Sequence, residues 1–563
     1  MLVTDFKRDF YSVVKRKHVL ILCSYEVDSV CCCKILQFIF EEDDTTYSLV
    51  PVTDAEALLK AYMEYNSKVC YVILINCGAT INLMDLLQPS PETVFYVIDN
   101  KRPLNLNNVY ESKQIRILVE IAEVDSLDIP PYDYVCMDSD HEEDAGSDDD
   151  ILASPARKRD SKRGTADKIA WENRRNELLI SYYEFSYYST ASSMLVYSLV
   201  RMLSCDVPDP LWWALIGWTS QLVEGQVSLP QYTTKTVDIN QRDYLNLGRQ
   251  VGNRDKLSKD CLTIYFDTEL LISLYRHWTL YDSIRLSRTT ASFFRSWTLK
   301  GSMKLNEFFV HAGLPLTECR QEYNMMEVDL RNESKGSLEN TFERYKIRDV
   351  VYGSFYAKYA YSHKLSAGDM SEALAAILFF DKEPCSPDSF FSAMNSLSKC
   401  QVDKVYVGIR SFQAFLETAF NETRRVLNDG SVQDYHSFLV CHIGLDSTAW
   451  KYFSHPYGIY AFGRYVQSAY VSSPRSRRHK SKPFVITVAL QNRESTILVA
   501  GVPPLYVQTS EDKPRNLFGQ AFLRIAEGTT CRIRQKFFES HVVELYAEDT
   551  DRFLTSIVGL LQD

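Results

Sequence analysis

The chain has 563 residues, with 62 Lys and Arg against 73 Asp and Glu, and its formal net charge is −11. Hydrophobic residues make up 45% of it, which is enough to build buried cores and excludes a wholly disordered or fibrous protein. The length predicts three or four domains of ~100–200 residues each. The acidic balance argues against a protein that coats nucleic acid by bulk charge, but it leaves room for a local basic groove.

The cysteines and the apolar runs indicate the compartment. The fourteen cysteines contain no C-x-x-C pair, which disfavours a zinc site or a disulfide framework and predicts reduced thiols in a nuclear or cytosolic protein. No stretch reaches the ~18 apolar residues of a membrane span, and the early apolar run Val19–Cys23 is too short for a signal sequence. We therefore expect no membrane association.

Short apolar runs alternate with helical patterns over the first 120 residues. The runs are rich in Val, Ile and aromatic residues and are continuous rather than alternating, as in strands that are covered on both faces. Strands are predicted at Val19–Cys23, Ser48–Val52, Val69–Ile75 and Thr93–Ile98. Helices are predicted at Asp28–Phe40, Asp54–Asn66 and Asn82–Leu87. This order predicts a parallel α/β sheet.

A hydrophilic segment, residues 133–165, interrupts this pattern. Eight acidic residues between Asp138 and Asp150 carry most of the net charge and leave −3 for the rest of the chain. A basic cluster follows, made of Arg157, Lys158, Arg159, Lys162 and Arg163. The segment has almost no apolar residues to bury, so we predict that it is disordered. Within it, Ser147 fits an acidophilic kinase site, Ser154 fits a proline-directed one, and the basic cluster fits a nuclear localisation signal.

The rest of the chain divides into three further stretches. Helical periodicity resumes at about Ala166 and persists to Glu224, which completes a first domain at 1–231. Residues 232–397 predict a mainly helical middle domain, and residues 398–563 predict a mixed domain. In the last domain, strands are predicted at Tyr435–Ile443, Phe484–Leu490, Ser495–Ala500 and Val542–Ala547, and helices at Arg515–Ala526 and Asp549–Leu561. Asp549 is the predicted cap of the last helix.

The sequence lacks the motifs of several common enzyme classes. The chain contains no phosphate-binding loop, dinucleotide fingerprint, nucleophile elbow or zincin helix motif. What remains is a set of polar residues directly after strands of the N-terminal sheet, where an open α/β sheet presents its crevice. They are Glu26, Asp28, Asn76, Asp99, Asn100 and Lys101. Carboxylates that converge at strand ends hold Mg²⁺ or Mn²⁺, so the position suits a metal site.

A purely structural interpretation of the same residues stays open. In it, Asp28 caps its own helix and Asp99 pairs with Lys101 or Arg102. A metal site requires a nearly complete ligand set, and the amides and the ammonium among these residues count against one.

A second candidate surface is a basic loop near residue 480. Its basic residues are Arg475, Arg477, Arg478, Lys480 and Lys482. Such a loop either contacts DNA phosphates or is simply solvated, and no stacking aromatic residue lies inside the basic run.

The motifs E-x-D, N-C-G and D-N-K, in this order, resemble a degenerate form of the motifs D-x-D, D-C-G and D-H-H of the DHH phosphoesterase superfamily. RecJ-like members of that superfamily use two manganese ions to hydrolyse phosphodiesters. In this resemblance Glu26 and Asp28 stand at the first motif, Asn76 replaces an aspartate, and Asn100 and Lys101 replace two histidines. The replacements imply that the pocket repels divalent ions, so we expect no cofactor and no catalysis.

Further blocks, in order across essentially the whole chain, resemble the cell division control protein 45 family. They are Leu211–Ala214, Tyr275–Trp278, Gly313–Leu316, Asn516–Phe522 and Ala547–Asp549. The resemblance implies an α/β protein in three parts: a RecJ-like DHH domain with a parallel sheet, a helical middle insertion, and a C-terminal DHHA1-like α/β domain.

The same resemblance implies a function in DNA replication initiation and elongation. It implies a non-catalytic subunit of the replicative helicase that bridges the MCM hexamer and the GINS complex, in the nucleus and on chromatin. Replication loading factors, DNA polymerase and weakly held single-stranded or origin DNA are further implied partners. Two alternatives stay open: a manganese-dependent DHH-type single-strand DNA exonuclease, and a single-strand DNA-binding protein that does not join the helicase.

Overall fold

The structure is a computed structural model of the chain. It describes residues 1–66, 68–136, 171–205, 207–239, 262–359, 363–380, 384–444, 449–474, 476–490, 495–505 and 514–561. Ser147, Ser154, the basic cluster Arg157–Arg163 and Arg475 lie outside the described residues. Within them, no helix combines the length and the apolar character that crossing a bilayer requires.

The first part of the chain is built around a six-stranded sheet. Strands β1 to β8 are Leu2–Val3, Val19–Ser24, Tyr47–Val52, Tyr71–Ile75, Val94–Ile98, Lys101–Arg102, Ile115–Leu118 and Tyr187–Tyr188. The sheet has the order β1-β7-β5-β4-β2-β3, and all its neighbouring strands are parallel. The predicted parallel sheet is therefore confirmed. Because β3 and β4 lie on opposite sides of β2, the crevice of the sheet opens at the carboxyl ends of β2 and β4.

Helices cover this sheet. Helices α1 to α11 are Ser12–Val14, Val27–Glu42, Ala55–Tyr65, Leu83–Leu87, Leu106–Tyr110, Ile121–Val124, Tyr132–Cys136, 171–183, Ser192–Met202, Pro208–Glu224 and Leu229–Ile239. Helix α7 includes residues 133–136, so the start of the segment predicted to be disordered is helical. Helix α10 is buried all round from Pro210 to Leu222, between α2, α9 and the middle of the chain. Its three tryptophans are core residues.

The middle of the chain is less helical than its sequence pattern predicts. Helices α12 to α18 are Leu280–Leu286, Arg288–Phe294, Leu299–His311, Leu316–Cys319, Val328–Arg344, Ala367–Phe379 and Pro387–Ser396. Strands β9 (Thr263–Leu270), β10 (Val351–Tyr359) and β11 (His363–Ser366) form a separate antiparallel sheet. Strand β9 pairs with a strand some 80 residues away, which no local pattern reveals.

The last part holds a mixed sheet. Strands β12 to β17 are Val432–Asp434, Leu439–Ile443, Phe484–Ala489, Thr496–Val502, Ile533–Arg534 and Val542–Tyr546. Helices α19 to α23 are Val402–Asp429, Trp450–Phe453, Pro456–Ser472, Phe518–Gly528 and Thr550–Leu560. Asp549 precedes α23, but its side chain does not cap that helix; its carboxylate accepts from Arg532 N and Nε at 3.2 and 3.0 Å. The guanidinium offers the carboxylate a stronger, charged partner than the helix N–H groups do.

Backbone hydrogen bonds join the first part to the last. Ser186 and Asn516 exchange two of them, at 2.9 and 2.8 Å, although 330 residues separate them. Ala55 N, at the start of α3, donates to Lys536 O at 2.9 Å. The last part therefore packs over the carboxyl end of the parallel sheet, where the candidate site lies.

A buried polar cluster at the carboxyl ends of the parallel strands

The fold brings the six motif residues together. Glu26 and Asp28 follow β2, Asn76 follows β4, and Asp99 to Lys101 follow β5. These three strands are adjacent and parallel, so their carboxyl ends meet at one edge. All six side chains are buried or nearly so.

Asp28 is the centre of the cluster. Its carboxylate accepts from Ser192 N at 2.7 Å, Ser193 N at 3.0 Å, Ser193 Oγ at 2.6 Å and Asn100 Nδ2 at 2.9 Å. The expectation that Asp28 caps its own helix is wrong, because Glu26 holds the N-cap of α2. The carboxylate instead satisfies free N–H groups at the start of α9, where a helix favours negative charge. Burial raises the pKa of Asp28, and the bonds from Ser193 oppose that rise.

Asn76 supplies donors where a metal-binding carboxylate would supply acceptors. Its Nδ2 donates to Ser29 Oγ at 2.8 Å, Glu26 Oε2 at 3.2 Å and Asp28 Oδ2 at 3.3 Å. Its Oδ1 accepts from Ser192 Oγ at 2.5 Å. The backbone φ of Asn76 is 52°, a left-handed conformation that asparagine tolerates better than most residues. The amide thus links the two acids of the first motif.

Asp99 is satisfied by backbone groups. Its carboxylate accepts from Gly78 N at 3.2 Å, Ala79 N at 3.0 Å and Lys101 N at 2.9 Å. The expected side-chain pair with Lys101 or Arg102 is wrong, because both cations have other partners. Arg102 forms a buried ion pair with Glu123, with 2.9 Å between Nε and Oε1.

The ammonium of Lys101 lies inside the cluster. Its Nζ donates to Glu26 Oε1, and to Asn76 O at 3.0 Å. Burial acts to lower the pKa of Lys101, but Glu26, Asp99 and Glu539 outweigh it and raise the pKa above its ordinary value. Burial raises the pKa of Glu26, and Lys101 opposes that rise. Since three carboxylates favour the charged lysine, we assign an ammonium to Lys101.

These residues do not fit a pair of divalent metal ions at the motif positions. The carboxylate oxygens of Asp28 and Asp99 are occupied by hydrogen-bond donors, and the ammonium of Lys101 occupies Glu26. Asn100 Oδ1 has no hydrogen-bond partner among the described residues, but one neutral oxygen is far short of a ligand set. Across the described part of the chain, no three His, Cys, Asp or Glu side chains are grouped to hold a metal ion.

The structure separates the residues of the predicted basic loop. Residues 477–481 form a short 3₁₀ helix, in which Arg478 and Lys480 are exposed. Lys482 forms an ion pair with Asp434, with 2.5 Å between Nζ and Oδ1, so its charge is compensated within the protein.

Sequence reasoning missed the partners that complete the cluster. Ser192 and Ser193 lie 164 and 165 residues after Asp28. Glu539 comes from the last part of the chain and acts on both Lys101 and Glu26. A Ser-Ser pair at a helix start was a local signal for α9, but nothing in the sequence relates it to Asp28.

Comparisons with known proteins agree with this architecture. The family model described as CDC45 matches residues 19–128 and 132–559. The mouse cell division control protein 45 homolog is 33% identical over 570 residues, with 100% of each chain covered. The crystal structure of CDC45 from Entamoeba histolytica has a TM-score of 0.71 and 21% identity, with 100% of both chains covered.

The RecJ structure from Thermus thermophilus in complex with Mn²⁺ is also among the neighbours. Its TM-score is 0.39 at 9% identity, over 98% of this chain and 53% of that one, and this likeness says nothing about activity. The family match spans nearly the whole chain, and the relatives are matched over their full length. The chain belongs to the cell division control protein 45 family and is a DNA replication initiation factor.

Proposed function

We propose that this replication factor is a non-catalytic subunit of the replicative helicase that bridges the MCM hexamer and the GINS complex. Its parts 1–231, 232–397 and 398–563 serve as the DHH-like, middle and DHHA1-like bodies of that scaffold. Family membership supports the place in replication, and the buried cluster supports the absence of catalysis.

The observation that carries the non-catalytic assignment is the position of Lys101 Nζ on Glu26. A phosphodiesterase of the DHH type needs divalent ions to activate water and to neutralise charge on the phosphate. A cation held among Glu26, Asp99 and Glu539 already neutralises the carboxylates that would attract such ions. The cluster thus acts as a polar core that joins β2, β4, β5, α2 and α9.

An exposed apolar stripe on α14 supports a role in binding other proteins. It consists of Leu299, Met303 and Val310, which are 86%, 65% and 66% exposed. Their spacing places them within one narrow sector of the helix, opposite the buried Leu305 and Phe308. Apolar side chains aligned on one exposed helix face are typical of interaction sites, so we assign the α14 stripe to the MCM contact of the middle part.

The remaining partners follow from the same assembly. We assign replication loading factors and DNA polymerase as transient partners, and the nucleus and chromatin as the location. We assign weak contact with single-stranded or origin DNA to the exposed side chains of Arg478 and Lys480. Such a contact contributes little affinity, because Lys482 is already paired with Asp434.

Purification of the tagged full-length chain from chromatin of dividing cells tests the scaffold. We expect the MCM subunits and GINS to co-elute with it at physiological salt. Their absence, together with salt-sensitive binding of single-stranded DNA, would favour the simple DNA-binding alternative.

A nuclease assay tests the enzyme alternative. Labelled single-stranded DNA should stay intact with the purified chain and Mn²⁺. Degradation that disappears in both Asp28→Ala and Asp99→Ala would replace the scaffold proposal with a manganese-dependent exonuclease. The two substitutions remove the acids of the first and third motifs, so a contaminating nuclease would not respond to them.

A further inference from the structure

A cavity of about 330 Å³ lies where the three parts of the chain meet. Its wall includes Glu224 from the first part, Arg288 from the middle part and Arg464 from the last part. Pockets for small molecules span roughly 300–1,000 Å³, so the cavity has the size of a small ligand rather than of a folded segment.

Helix α21 presents one face to this cavity. Tyr457, Tyr460, Arg464 and Tyr465 all line it, at positions i, i+3, i+7 and i+8 of the helix. A helix face that only packs against a core is apolar at these positions. Here the face carries three phenol rings and a guanidinium, which together form an aromatic and cationic wall.

The side chain of Arg464 is held in place, and one of its hydrogen-bond donors has no partner among the described residues. It is 6% exposed, and its Nη1 donates to Glu224 O at the end of α10. Gly225 leaves the room for it, since a Cβ there would overlap the guanidinium. Arg464 Nε has no hydrogen-bond partner among the described residues. A buried donor without a partner is costly, and an acceptor inside the cavity would remove that cost.

Arg288 faces the same cavity without a compensating acid. Among the described residues it has no ion-pair partner, and the neighbouring groups that act on it are the guanidinium of Arg464 and the neutral phenols of Tyr460 and Tyr465. Burial, reinforced by Arg464, lowers the pKa of Arg288 to about 9. Two guanidiniums that share one low-dielectric cavity repel each other unless an anion lies between them.

The acids in the cavity wall do not neutralise this pair. Glu26 is paired with Lys101 and Glu269 with Arg276, and Glu539 also acts on Lys101. Asp369 lies against His277, with 3.4 Å between Oδ2 and Nε2. Burial raises the pKa of Glu372 to about 8. Burial together with Glu26 and Asp28 raises the pKa of Glu224 well above its ordinary value, and Arg464 opposes that rise. Among the described residues, none of these acids forms an ion pair with Arg288 or Arg464, so the two guanidiniums are left to bind a ligand.

We propose that the cavity binds a small aromatic phosphate monoester, with its phosphate between Arg288 and Arg464 and its ring against Tyr457 and Tyr460. A phosphate offers several acceptors at once, and arginine binds it through paired charge-assisted hydrogen bonds. The phenol rings supply a flat surface for an aromatic group. The site is independent of the scaffold proposal, because neither arginine belongs to the polar cluster or to the α14 stripe.

Calorimetric titration of the full-length chain tests the site with three probes: adenosine 5′-monophosphate, ribose 5-phosphate and inorganic phosphate. We expect adenosine monophosphate to bind most tightly and inorganic phosphate most weakly. Arg288→Gln should weaken binding of adenosine monophosphate about tenfold or more, because it removes one charged donor. Arg348→Gln is the matched control, since Arg348 is an exposed arginine of the same middle part.

A second variant guards against loss of folding. Tyr460→Leu leaves both arginines in place. It should weaken the binding of adenosine monophosphate and leave the binding of ribose 5-phosphate unchanged. Thermal unfolding of each variant verifies that it folds. Absence of binding by the unaltered chain at millimolar probe, or equal affinities in the Arg288→Gln and Arg348→Gln variants, would overturn the site. Equal affinities for adenosine monophosphate and ribose 5-phosphate would overturn the aromatic part of the ligand.

Discussion

Lys101 Nζ donates to Glu26 Oε1 across the ends of two strands, between residues that lie 75 positions apart in the chain. Both side chains are almost wholly shielded from water. A buried pair of this kind adds little over a well-packed apolar pair, but removal of one partner leaves an uncompensated charge. Its main effect is to make the folded state depend on both residues at once.

Substitution of one partner should therefore cost far more than substitution of both. We expect Lys101→Met to destabilise the protein by about 3–5 kcal/mol, and the double variant Glu26→Gln/Lys101→Met to cost less than the sum of the single changes. Urea unfolding measures both. The control is Lys235→Met, which breaks the half-exposed pair with Glu120 and should cost about 0–1 kcal/mol. Equal losses in Lys101→Met and Lys235→Met would contradict the buried pair.

Gly217 allows α10 to approach the polar cluster closely. A Cβ at this position would overlap Ser193 Oγ and Asp28 Oδ1, so Gly217→Ala forces both side chains away from α10. We expect a loss of about 1–3 kcal/mol of stability, measured by thermal or urea unfolding. Gly336→Ala is the control, because that exposed helical glycine has nothing within 4 Å of its added Cβ and the change should stabilise by up to about 1 kcal/mol. Stabilisation by both changes would refute the close approach.

The stability of the protein should depend on pH through Glu372. Burial raises the pKa of this carboxyl in the folded state to about 8, above its ordinary value of 4.5. The folded state therefore holds the proton more tightly, and this contribution to stability is full below pH 4.5 and is lost as the pH rises through 8. Glu372→Gln cannot lose a proton, so its free energy of unfolding should not show this decrease. Between pH 5 and 8.5, the free energy of unfolding of the variant should rise relative to that of the parent by on the order of 2–4 kcal/mol.

Urea unfolding at several pH values checks this dependence. Glu417→Gln is the control, since Glu417 is exposed on α19. Parallel pH profiles for the parent and for Glu372→Gln would show that the buried carboxyl does not titrate in this range.

The α14 stripe should be needed for assembly and dispensable for folding. We expect Leu299→Glu/Met303→Glu to lose co-purification with MCM by tenfold or more, because charge replaces apolar surface at the contact. Its unfolding temperature should stay unchanged, since both side chains are exposed. Val407→Glu, an exposed apolar position on α19, is the control and should keep MCM. Full retention of MCM by the double variant would exclude this stripe from the interface.

The parallel sheet was predictable because its strands carry local signals. The four runs of Val, Ile and aromatic residues correspond to β2, β3, β4 and β5 within two residues at each end. The motif residues were equally predictable, because strand ends of a parallel sheet meet at one edge. Local pattern and global fold agree in this part of the chain.

The partners of those residues were not predictable, because they come from distant segments. No pattern in the sequence links Ser193 with Asp28. In the fold, Ser193 donates two hydrogen bonds to the Asp28 carboxylate. Similarly, β9 contains charged and polar residues on one face and pairs with β10 only after about 80 intervening residues have folded back. Tertiary context outweighs local propensity in both cases.

The paired backbones of Ser186 and Asn516 make the first and last parts of the chain one mechanical unit. A flexible linker would let each part turn separately and would absorb a pull on either one. Two peptide groups that bond to each other leave little slack, and Ala55 adds a second attachment through Lys536. A displacement imposed by a partner on the last part of the chain is therefore passed to the segments that flank the parallel sheet, at the start of α3 and before β8.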